Sequence, residues 1–138
     1  MKKFAKIMAV ALVAVLALAA LVACGPNSNP EKAAQALKDK KYVVTAVIPD
    51  DSAAGKLAQA GLDITAKAAG LEEGDIIATI TATNGEEGIT ITYFKNASVA
   101  SKYWKENKDK VEKKDGWVTK QSGSMVYSGT EQAVKDAR

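Results

Sequence analysis

Histidine is absent from the 138 residues, and cysteine occurs once, at Cys24. The first absence removes the commonest general base, the commonest metal ligand and the usual proton sensor near neutral pH. The second rules out a disulfide within the chain. Together they leave zinc, copper and iron–sulfur sites without a credible ligand set, so no metal and no cofactor is expected. Calcium has only Asp50-Asp51 and Glu72-Glu73-Asp75 to draw on. Neither shows the alternating carboxylates of a calcium loop, and both suit turns and helix ends better. Motifs for covalent and nucleotide chemistry are missing too: there is no Gly-x-Ser-x-Gly elbow, no Ser-x-x-Lys pair and no phosphate-binding glycine run. Asn96-Ala97-Ser98 has the form of a glycosylation acceptor but reads better as a helix cap. Proline is scarce, three in all, and aromatics make up 6%.

The one long apolar run lies at the start. Lys2, Lys3 and Lys6 precede Ile7 to Ala23, a stretch without charge that ends at Leu21-Val22-Ala23-Cys24. Its length approaches that of the shortest membrane-spanning helices, so the ending decides its nature. That ending resembles the lipobox of bacterial lipoproteins. The resemblance implies that residues 1–23 are a signal peptide, that cleavage falls between Ala23 and Cys24, and that Cys24 carries fatty chains such as palmitate. The protein would then sit on the extracytoplasmic face of the cell membrane. The alternatives are an ordinary secretory signal or an uncleaved helix with a coincidental cysteine. Two acyl chains, at about 0.8 kcal/mol per buried methylene, make a stable anchor where one does not.

Formal net charge is +3, from 19 basic and 16 acidic residues. Three of the basic residues lie before Cys24 and none of the acids do. The chain from Cys24 onward therefore balances at sixteen of each. A neutral domain has no general attraction for nucleic acid, so no nucleic-acid partner is expected.

Gly25 to Pro30 is rich in small and turn-forming residues and reads as a flexible tether, making 24–30 the lipidated cysteine and its linker. Residues 31–138 form a single domain. Glu31 to Lys38 has an acid in its first turn and helix-favouring alanines. Tyr42 to Ile48 is β-branched and reads as a strand, stopped by Pro49-Asp50-Asp51. Residues 52–70, interrupted by Gly55, Gly61 and Gly70, suggest one or two short helical turns. Two runs of period two, Ile76 to Thr83 and Ile89 to Phe94, flank a glycine-containing turn and predict a hairpin. Its isoleucine face should be buried and its threonine face exposed. Asn96 caps a helix whose apolar positions Ala100, Tyr103, Trp104 and Val111 recur at helical spacing. A second hairpin follows around Gln121 to Ser124, and Thr130 caps a closing helix. This order predicts an α+β fold, an antiparallel sheet of about five strands with helices packed mainly on one face.

Tyr93-Phe94 before a lysine-rich helix, and the later Gly129-Thr130-Glu131-Gln132-Ala133-Val134-Lys135, resemble a pattern in uncharacterised small lipoproteins of Gram-positive bacteria. The resemblance covers less than half of the domain and implies no activity.

Tyr93, Tyr103, Trp104, Trp117 and Tyr127 are the candidate partner-binding residues, since such side chains combine large area with a polar handle. The competing reading is that they fill the core. The expected function is a membrane-anchored, non-catalytic binding or interaction module, partnered by membrane lipid through Cys24 and by a protein or envelope ligand. The alternative is an envelope hydrolase using paired carboxylates. A solute receptor for an importer ranks below both, because such receptors are usually two-lobed and longer.

Overall fold

The computed structural model describes residues 25–109 and 116–138. The expected signal peptide, the expected cleavage and lipidation sites at Ala23 and Cys24, and Val111 lie outside these residues. The fold is α+β: one antiparallel sheet of five strands with four helices among the described residues. In chain order they are α1 (Pro30–Asp39), β1 (Val43–Val47), α2 (Ala53–Ala68), β2 (Ile76–Thr83), β3 (Gly88–Phe94), α3 (Ala97–Asn107), β4 (Trp117–Ser122), β5 (Met125–Thr130) and α4 (Glu131–Asp136). The strands lie side by side as β1-β2-β3-β5-β4. Among the described residues no helix is long and apolar enough to cross a membrane.

The hairpin alternation sets the two faces. Ile80, Ile89 and Ile91 are buried on the first face, while Thr81, Thr83 and Thr90 are exposed on the second. On the first face Leu37 of α1 and Ala133 of α4 join Tyr93, Met125 and Tyr127 in one apolar cluster. Gly129 is needed here: a Cβ would stand 2.8 Å from Ile89, closer than packed atoms tolerate.

Sequence order suggested helices mainly on one face, yet the four divide in pairs. Leu62 and Ala66 of α2 and Ala100 of α3 pack with Ile76, Phe94 and Val126 in a second cluster. Phe94 and Val126 alternate with Tyr93 and Tyr127, so this cluster lies across the sheet from the first. Ile76 joins it through a bulge: Phe94 pairs with Ile76 and Tyr93 with Ala78, so Ile77 is the extra residue and stands exposed.

Helix α2 is continuous over sixteen residues despite its glycines. Ser52 caps it by accepting from the Gly55 N–H at 3.0 Å, and the Asp50 carboxylate accepts in turn from Ser52. Gly55 is there because a Cβ would collide with the Asp50 backbone. Gly61 lies where a side chain would meet nothing, between the exposed Leu57 and Ile64.

The expected flexible tether is instead bound to the domain. Gly25 and Pro26 are buried. The Asn27 N–H donates to the Ala137 carbonyl at 2.8 Å, and the Tyr93 hydroxyl donates to the Asn27 carbonyl at 2.7 Å. Partners 110 and 66 residues away overrule local composition. This segment meets the sheet at the end bearing the β4–β5 turn, opposite the end bearing the β2–β3 turn.

Candidate functional site

The five candidate aromatics fall into three environments. Tyr93 and Tyr127 are buried in the first-face cluster at 1% and 5% exposure. Burial pushes both hydroxyls' pKa values up. Tyr93 spends its hydroxyl on Asn27, and the ring of Tyr127 lies against Gly25. Tyr103 and Trp104 are half-buried against the second cluster, the Tyr103 ring tilted 37° on Phe94 with centroids 5.0 Å apart. Trp117 stands apart from both.

Trp117 begins the edge strand β4, on the same side of the sheet as Thr119 and Gln121. Its indole reaches across β5 to β3, where a Cβ on Gly88 would stand 3.4 Å from its six-membered ring. Gly88 thus provides the seat for the ring. Trp117 is also among the residues lining an open cleft of about 590 Å³ with Glu87, Thr130, Glu131 and Lys135.

Beside Trp117 none of the described helices covers the second face. The strand registers align Thr45 with Thr81, Thr81 with Thr90, Thr90 with Ser128 and Ser128 with Thr119. One row of hydroxyl side chains therefore crosses all five strands. Thr45, Thr81 and Thr90 are exposed; Ser128 and Thr119 are half-buried and share a hydrogen bond of 2.8 Å. The flanking row toward the β2–β3 turn holds Val43, Thr83, Gly88 and Trp117. No position in either row carries an ionisable side chain. The row on the other side ends under the helices, where Gln121 donates to Ser101 of α3 at 3.0 Å.

Alternation in β2 and β3 already displayed half of this surface in the sequence. Thr45, Thr119 and Ser128 join it only through the strand order, and Gly88 reads locally as part of a turn.

The charged groups that depart from ordinary behaviour lie elsewhere and are structural. The Glu72 N–H, at 2.9 Å, and the Lys95 ammonium, at 3.0 Å, hold the buried Asp75 carboxyl below its usual range. This lock closes the start of β2 against the end of β3. Asp63 is lowered by the Gly74 N–H and then by Gln59. Tyr42 is raised by burial and by donating to Asp136 at 2.9 Å.

Comparison with protein families, with curated proteins and with solved structures finds no match.

Proposed function

We propose that the chain is a membrane-anchored extracytoplasmic lipoprotein whose domain is a binding module without catalytic activity. The observation that carries the reading is the opposition of two ends. The chain leaves Cys24 and is clamped at once by Tyr93 and Ala137 at one end of the sheet. The uncharged open face extends from mid-sheet to Trp117 at the other. An anchor at Cys24 therefore holds the β4–β5 turn near the membrane and presents the open face away from it. The lysine-rich start, the apolar run and the lipobox-like Leu21-Val22-Ala23-Cys24 support the anchor.

A paired-carboxylate hydrolase has one point in its favour, since Glu87 and Glu131 line the cleft beside Trp117. Glu131 is exposed and Glu87 only half-buried, so neither has the water-poor surroundings that a general acid working at neutral pH needs. The binding reading fits better.

Cells given labelled palmitate test the anchor. The expected outcome is a labelled chain in the membrane fraction, with Cys24→Ser unlabelled and released from it. An unlabelled wild-type chain that keeps residues 1–23 and stays in the cytosol overturns the reading.

A further inference from the structure

Granting that the domain is a binding module, we infer that its open face takes an uncharged β-1,4-linked polysaccharide chain, laid across the strands with one sugar ring on Trp117. Three observations converge on this ligand. The first is charge. The row of Thr45, Thr81, Thr90, Ser128 and Thr119 and the flanking Val43, Thr83, Gly88 and Trp117 hold no ionisable group. Within these two rows a phosphate, an anionic lipid head or a charged peptide finds no counter-ion, the nearest charges being Glu87, Glu131 and Lys135 in the cleft at the Trp117 end, whereas a neutral polyol loses no hydrated charge on docking.

The second is spacing. Neighbouring strands lie about 4.8 Å apart, so the hydroxyl row repeats at that interval over about 19 Å. That interval is close to the length of one sugar unit in an extended β-1,4 chain. Each hydroxyl both donates and accepts, as sugar hydroxyls do, so neither partner must adopt a fixed donor pattern. Thr119 and Ser128 already bond each other at 2.8 Å, and each oxygen keeps a further lone pair for the ligand.

The third is the aromatic at the row's end. Gly88 lets the indole of Trp117 settle on the sheet beside the hydroxyls. An aromatic face next to hydrogen-bonding groups suits a pyranose, which presents C–H bonds on its faces and hydroxyls around its rim. Trp104 does not offer this arrangement, because it packs into the cluster between α2, α3 and the sheet.

The test uses the full-length chain purified in detergent, sedimented with insoluble chitin and with cellulose, and titrated with chitopentaose and cellopentaose. The expected result is co-sedimentation with at least one polymer and saturable binding of its oligomer. Thr81→Lys and Thr90→Lys, each placing a long charged side chain on the exposed row, should weaken binding about tenfold or more with unchanged circular dichroism. Trp117→Phe, which keeps a ring, should weaken it less than Trp117→Ala. Absence of binding to both polymers overturns the proposal, as does a Thr81→Lys chain that binds like wild type. So does a dimer in sedimentation velocity that Thr81→Lys dissolves, since a second copy then covers the face. New reducing ends released from a bound polymer would overturn the non-catalytic reading and leave the ligand class standing, so the two failures are distinguishable.

Discussion

The two faces of the sheet are built from the same hairpins and do different work. The first is closed over β2, β3 and β5: isoleucines of β2 and β3 meet Leu37 of α1 and Ala133 of α4, and even its tyrosines are buried. The second is closed only where α2 and α3 cover Ile76, Phe94 and Val126, and beyond them it ends in threonine. The contrast teaches that stability and recognition are separated here by strand parity. A residue's face decides its role, and its neighbour one step along the strand takes the other role.

The largest expected effect sets the faces against each other on adjacent residues. Ile91→Ala should cost about 2–5 kcal/mol in denaturant unfolding, as the loss of fully buried methyl and methylene groups does. Thr90→Ala, one residue away on the open face, should cost about 1 kcal/mol or less. Equal losses would mean that the open face is as packed as the closed one.

Next in size is the acid response of the lock where the second face is covered. The folded state lowers the pKa of Asp75, first through the Glu72 N–H and then through Lys95. Its stabilisation is therefore complete above the ordinary carboxylate value of about 3.9 and is lost as pH falls through the lower folded value. Asp75→Asn should lower the unfolding midpoint at pH 7 and flatten its decline below about pH 4. A variant whose acid profile parallels wild type would show that other carboxylates carry the response.

The smallest effect sharpens the boundary at Trp117. In a Trp104→Phe background, Gly88→Val should displace the indole and shift its emission to longer wavelength, with a stability change of about 1 kcal/mol or less. An unchanged spectrum would mean that Trp117 does not rest on Gly88.

Much of the comparison was legible in the sequence. Period-two alternation through Ile80-Thr81-Ala82-Thr83 and Ile89-Thr90-Ile91-Thr92 assigns buried and open faces without any knowledge of neighbours. What alternation cannot convey is which strands lie together. The hydroxyl row needs β5 inserted between β3 and β4, a long-range choice. The division of helices between faces is not legible there, because half of each amphipathic helix is apolar whichever face it covers. Helix α2 reads as shorter than it is because Gly55 lowers helix propensity, while its reason for being there, the approach of Asp50, is tertiary. The five aromatics share a composition signal, and only packing separates Tyr93 and Tyr127 in the core from Trp117 at the edge.

The clamp on Asn27 has a mechanical consequence. A pull on the chain ahead of Gly25 meets no slack: it passes through the Tyr93 hydroxyl into the central strand and through the Ala137 carbonyl into the C-terminal segment. Both routes are loaded together, so drag on the domain is resisted by the middle of the sheet rather than by an edge that could peel.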